Sequence, residues 1–468
     1  MLDKHQKLKN LREHGSILVF VIVFCAVFMM IGVSLIEIMS LLHKSALKKQ
    51  SLEKTFQVAE AGINFYKWRL AHSPEDYTGS GDYEYKDNNG NRIGYYHLEI
   101  TEPPLGSTVV TVTSTGYIDS DANISRVIEA RLAMPALSDY AFLTNSNAWI
   151  GESEEIVGKM HSNGGIRFDG ESDSTVDSPL DTYICGPEHD CNYEEHVGVW
   201  GTGIIQELWR FPPTHAITSI DFDDIILDLA DMKLKGESAE GVYLGDSSEF
   251  GWYLHFDYGT TTFKAYKVTD VHWTYGWDFT DGWQWRGIDI KTLGPEQTYN
   301  IPANGIIFVE DQTWVDGEID QRITVASANF INPSEETSII INEDIVYQNR
   351  DGNSAMGLIA QKDVLIPLYS PDRLEVDAAL LAQGGHCFRY YYPESWYGQD
   401  AKKDEIEIWG SVISNTIWTW SWVSCDTCPV ISGYINTETT YDPYLTYGPP
   451  PQFPTSGEYE VVTWREVK

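Results

Sequence analysis

The chain contains none of the short motifs that mark common catalysts. There is no GxSxG elbow, no HExxH pair, no Walker loop and no dinucleotide fingerprint, so nothing in it points to a serine hydrolase, a zinc peptidase, a P-loop NTPase or a Rossmann enzyme. Basic residues are also scarce, with 32 Lys and Arg against 69 Asp and Glu, a formal charge of −37. A surface of that sign repels phosphate backbones and argues against electrostatic nucleic-acid binding. The acids lack the glycine-turned spacing of an EF-hand loop, and no cofactor or metal site is read from them. Disorder is excluded by composition, since 42% of residues are hydrophobic and 13% aromatic, including 16 Trp and 27 Tyr.

Charge is missing altogether from Ser16 to Ile36, SILVFVIVFCAVFMMIGVSLI, a run long enough to cross a bilayer as one helix. A secretory signal peptide is a poor fit, because the apolar core is too long and no small-x-small cleavage site follows. Lys4, Lys7, Lys9 and Arg12 precede the run, so the positive-inside rule predicts a cytoplasmic amino end and an extracytoplasmic remainder. Apolar residues then continue at helical spacing (Leu47, Leu52, Phe56, Ala59, Ile63, Tyr66, Leu70), which predicts an amphipathic extension through about residue 75.

A basic leader ending in Gly15, an apolar helix directly after it, and AEAGINFYKW from Ala59 to Trp68 resemble the amino terminus of type IV pilins and pseudopilins, in particular PilX-type minor pilins. TSTGY (Thr113 to Tyr117) with Arg126 and Glu129, HSNGGIRFDG (His161 to Gly170) and YDPYLTYGPPPQFPTSGEY (Tyr441 to Tyr459) are similar to segments of the same family. The resemblance implies processing between Gly15 and Ser16 by a prepilin peptidase, insertion in membrane lipid, and packing of the helix against other pilin or pseudopilin subunits. Phe20 stands where major pilins usually carry glutamate, and Glu37 is the first acid after the leader. A plain single-pass anchor is the competing reading.

The expected organisation is α+β and mainly β. A leader (1–15), a transmembrane helix (16–36) and its extension (37–75) precede a small antiparallel sheet (76–136) that includes a hairpin at DNNGN. A β-helix-like solenoid (137–440) follows, then a Pro-rich tail (441–468) packing on that ectodomain. The solenoid rests on short strands recurring every 17 to 25 residues, with VDGEI, VDAAL and IWGSV similarly punctuated; a β-sandwich would give similar strands. Residues from about 210 to 300 form an insertion, with an amphipathic helix at ITSIDFDDIILDLADMKL capped by Ser219 and a Trp-rich stretch HWTYGWDFTDGWQWRG.

Cys185 and Cys191 read as one small disulfide loop and Cys425 and Cys428 as a second, although a CxxC also occurs in redox and zinc sites; Cys387 is then left over and Cys25 lies in the apolar run. Trp418, Trp420 and Trp422 fall at period two, so one strand would point all three to one face, a candidate surface for carbohydrate or a protein receptor, with core packing as the alternative. Two functions are weighed. One is a minor pilin-like structural and adhesive protein, not an enzyme. The other is an anchored β-helix enzyme acting on cell-surface polysaccharide, for which Asp221 with Asp224 or Asp316 with Asp320 would be carboxylate pairs, and His161 a ligand or base.

Overall fold

The structure, a computed structural model, describes residues 3–152, 154–222, 229–332, 334–416, 418–425 and 428–467. The chain forms two units: residues 1–101, 110–132 and 461–468 make the first, and residues 102–109 and 133–460 the second.

The first unit is built on α1 (Asp3–His72). Its sequence has no proline before Pro74, so no turn of the helix loses a backbone donor. From Ile17 to Ile36 the apolar side chains are exposed, among them Phe20, Phe24, Phe28 and Leu35. The second half buries Thr55, Val58, Ala59, Gly62, Ile63, Tyr66 and Leu70, spaced three and four apart as one helix face requires. Leu47, expected on that face, is exposed, because the buried stripe begins only at Thr55.

An antiparallel meander of β1 (Gly81–Lys86), β2 (Arg92–Thr101), β3 (Val110–Ile118) and β4 (Asp121–Ala133) covers that stripe. The carboxylate of Asp87 accepts from the N–H groups of Asn89 and Asn91, which makes the β1–β2 turn. Two glycines let helix and sheet approach. A Cβ on Gly116 of β3 would lie 2.2 Å from the Thr55 carbonyl oxygen and 2.5 Å from the Ala59 nitrogen; one on Gly62 would lie 2.3 Å from Ser114 Oγ. The AEAG and TSTGY segments therefore meet at the closest point of the packing.

The sheet has a fifth strand, Glu460–Val467, beside β4. This corrects the expectation that the whole of 441–468 packs on the ectodomain. EVVTWREV is β-branched and aromatic enough to complete an edge, Arg465 Nη2 reaches Glu129 Oε1 at 2.7 Å, Arg126 pairs with Glu466, and the Trp464 ring meets Phe56 edge-on. Of the predicted tail, only Tyr441 to Glu460 belongs to the second unit.

The second unit consists mainly of parallel ladders, which an antiparallel sandwich does not produce. One ladder places Ile307, Val325, Leu358, Leu380, Val412, Phe142, Met160 and Val176 in register, all buried in one core. The neighbouring positions Phe308, Ala326, Ile359, Leu381, Ile413 and Leu143 are buried on its other side by Leu137, Met232, Leu445 and Phe453. A sheet covered on both faces explains the continuous apolar runs of these strands. VDAAL and IWGSV pair residue for residue, Val376 with Ile408 through Leu380 with Val412.

Chain order and spatial order differ here. Lys402–Ser414 pairs with Phe142–Thr144, and Ser432–Tyr441 with Glu154–Val157, so the first strands of the unit stack on its last ones. The block expected as an insertion is only partly one. Trp252–Phe256 joins a ladder beside Thr313–Ile319, while the long hairpin Thr262–Asp278 with Gly282–Leu293 extends from it. The predicted amphipathic helix is described only as Leu229–Gly236, where Met232 is buried and Asp231 pairs with Lys235; Asp224, Ile225, Ile226 and Asp228 lie outside the described residues.

One ladder carries an outward row of five glutamates in register: Glu375, Glu407, Glu438, Glu155 and Glu171. Their strands stand about 4.8 Å apart. Arg350 bonds Glu375 at 2.7 Å and Glu407 at 2.9 Å, relieving one end of the row.

Two outcomes are expected. Gly116→Ala should lower the stability of the first unit by about 1–3 kcal/mol through overpacking, seen as a lower denaturant midpoint and faster proteolysis of its strands. Glu438→Lys, flanked in register by Glu407 and Glu155, should raise the melting temperature by the equivalent of about 0.2–1 kcal/mol, because it replaces two like-charge pairs by attractive ones.

Candidate functional site

The tryptophan row expected at 418, 420 and 422 does not exist as a surface. The chain turns at Trp420: Trp418–Thr419 pairs in parallel with Cys387–Arg389, whereas Ser421–Trp422 pairs antiparallel with Ser432–Gly433. Trp420 is 1% exposed and Trp422 8% exposed. Burial of two large rings outweighs the alternation that would have displayed them. Trp422 also donates its indole N–H to the Arg389 carbonyl at 2.8 Å.

Trp418 and Trp422 nonetheless edge a cleft in the second unit. It has two adjoining lobes of about 430 and 330 Å³ that share Trp149, Glu188, Phe279, Trp422 and Val423. Five separate stretches of chain build it. The hairpin tip Trp277–Trp283 is shaped by the Asp278 carboxylate, which accepts from the N–H groups of Thr280 and Asp281, and is fixed by reciprocal backbone bonds between Trp277 and Tyr391. Several ring pairs around the smaller lobe stand steeply to one another, although Phe279 and Trp422 meet at only 34°. Trp277 meets Phe279 at 68° and Trp422 at 71°, and Tyr391 meets Trp283 at 71° and Trp422 at 75°.

The opposite wall is the loop closed by the Cys185–Cys191 disulfide, whose short helical turn presents Glu188 and Asp190 to the smaller lobe and His189 to the larger. Arg167 holds this loop in place. Its guanidinium lies between the rings of Trp149 and Trp200, donates to Asp169 at 2.7 Å and donates to the His189 carbonyl at 2.8 Å. Cys425 and Cys428, also disulfide-bonded, line the remaining side. Among the described residues no lysine or arginine lines either lobe, while Glu152, Glu154, Glu188 and Asp190 do. Burial pushes the Glu154 carboxyl up to about 8 although its oxygen accepts from the Gly151 N–H at 2.9 Å. The same cause holds the His189 imidazole down to about 4, with Glu188 opposing and Arg167 adding to it; among the described residues its Nδ1 has no hydrogen-bond partner.

The other sequence-predicted residues are elsewhere. His161 is buried in the strand Met160–Ser162, where its Nε2 is 3.1 Å from Asn163 Oδ1 and Asn163 bonds onward to Asn145 and the Ile220 carbonyl. Asp316 is engaged by Tyr253, His255 and Asn342, and Asp320 accepts from the Gly259 N–H. Asp221 is described but its partner Asp224 is not. Cys387 is a buried free thiol whose pKa burial pushes well up, which keeps it protonated, and Cys25 is free on α1. The described residues contain no group of three or more His, Cys, Asp and Glu able to hold a metal ion. The signal for the cleft in the sequence was the Trp-rich stretch, yet its partners Trp149 and Tyr391 come from more than 100 residues away, and Glu188 also lies far outside it.

No family model matches the chain, and no curated protein matches it. Among solved structures, the competence-associated pilin ComZ from Thermus thermophilus is similar over 89% of this chain and 97% of its own length, at 12% identity and a TM-score of 0.29. A likeness at that score carries no argument about fold or function.

The native protein leaves His189 unprotonated between pH about 4 and 6.5, a window in which the unfolded chain protonates it, so this group's contribution to stability falls as pH drops through that window. Ring nitrogen shifts of His189 followed by NMR should stay those of neutral imidazole at pH 5; a midpoint near 6.5 would contradict its burial.

Proposed function

We propose that the chain is a minor type IV pilin-like surface protein, of the PilX-type, that takes part in a pilus or its assembly complex and displays an acidic adhesive ectodomain. The observation that carries this reading is α1. Its first half is apolar and exposed, with one window long and apolar enough to cross a membrane, and its second half is clasped by an antiparallel sheet through Gly62 and Gly116. Bare apolar surface over that length requires lipid or other apolar helices around it. In this reading a prepilin peptidase cuts between Gly15 and Ser16, the amino end is cytoplasmic, and the helix passes from membrane lipid into contact with other pilin subunits.

The parallel ladders of the second unit are then the coils of a β-helix-like solenoid, held outside the membrane with its aromatic cleft as the adhesive site for a surface carbohydrate or receptor. Phe20 in place of an acid, together with a large domain on a helix that would pack about 10 Å from its neighbours, favours a tip or initiating position over the shaft. The enzyme alternative gains nothing from Asp316, whose carboxylate already accepts from three side chains.

The test is the protein recovered from sheared filaments of cells with an active prepilin peptidase. Amino-terminal sequencing should begin at Ser16, and quantitative mass spectrometry should find far fewer copies than of the main subunit. An intact leader would refute the pilin reading, and equal stoichiometry would refute the tip position.

A further inference from the structure

We propose that the smaller lobe of the cleft binds a quaternary ammonium group, such as the choline headgroup of a surface glycan or lipid. This deepens the adhesive reading, and rests on it in treating the cleft as a ligand site. Trp277, Phe279, Trp283, Tyr391, Trp422 and Trp149 line the lobe, and the steeply inclined ring pairs make walls in several directions instead of one flat platform. A sugar ring stacks on a flat aromatic face and needs donors and acceptors for its hydroxyls. A trimethylammonium group has no N–H to satisfy, sheds its weak hydration cheaply, and is held by the negative faces of several rings at once.

Charge agrees with shape. The acids that face the lobe are Glu188 and Asp190, both exposed at its rim on the disulfide-closed loop, and no described lysine or arginine lines it to oppose a cation. The guanidiniums that support its walls are already paired: Arg167 with Asp169, covered by Trp149 and Trp200, and Arg286 with Asp278 and Asp281 of the hairpin tip. A primary ammonium would instead call for several convergent acceptors at hydrogen-bond distance, and among these rings only Tyr391 carries one, its hydroxyl.

The experiment uses the full-length protein in a polyoxyethylene detergent, which carries neither sugar nor ammonium. Tryptophan fluorescence and calorimetry follow titration with choline, tetramethylammonium, the neutral isostere 3,3-dimethylbutan-1-ol and a neutral oligosaccharide. Choline should bind saturably and roughly tenfold tighter than the isostere, the difference that a cation–π contact of about 1–2 kcal/mol gives. Trp283→Ala, at the hairpin tip where the ring is 38% exposed and packs on Tyr275, Tyr391 and Trp396, should weaken choline binding at least as much while the far-UV circular dichroism stays that of the folded protein. Glu188→Gln should weaken it more at low than at high ionic strength. Equal binding of the isostere, or binding of the oligosaccharide alone, would overturn the proposal. If choline fails to bind while filaments carrying the protein still adhere to cells, this inference falls and the adhesive reading stands; if choline binds yet deletion of the protein leaves adhesion unchanged, the reverse holds.

Discussion

Register in the parallel ladders is the constraint on which the second unit depends. Because each strand lies about 4.8 Å from the next with side chains directly above one another, whatever occupies one position is repeated along the unit. On the inside this gives the stack from Ile307 through Val412 to Val176, which removes apolar surface from water without a gap. On the outside the same rule stacks five glutamates, an arrangement that costs energy and that Arg350 offsets at one end only.

The cleft is a consequence of the same geometry. Two runs of strands that are far apart in the chain meet where Val412 pairs with Phe142 and Glu438 with Glu155. That junction covers two sheet edges that would otherwise be open. It also brings Trp149 and the Cys185–Cys191 loop beside Trp418, Trp422 and the Cys425–Cys428 loop, and the hairpin from Trp277 to Trp283 closes the remaining side. The two small disulfide rings thus border the cleft.

In the first unit the equivalent constraint is the distance between α1 and β3. Gly116 and Gly62 have no side chain to keep the two apart, so Ala59, Ile63 and Tyr66 can reach the sheet. The helix half beyond Thr55 gains its burial there, while the apolar half from Ile17 to Ile36 gains none and stays exposed.

Features that depend on local chemistry were legible in the sequence. The apolar run of α1, the turn at Asp87, the alternation of β2 and β3, and the short Cys–Cys loops all follow from neighbours within a few residues, where propensity and period act directly. Even the in-register pairing of VDAAL with IWGSV was visible as a resemblance between two segments. Features set by pairing at long range were not. Nothing local distinguishes Glu460–Val467 as the partner of β4 from a strand packing on the second unit, and nothing in WTWSW says that the chain turns at Trp420 so that two rings go inward. The aromatic cleft belongs to this second class: its rings come from four stretches of chain, and only the pairing of the first strands of the unit with its last ones brings them together.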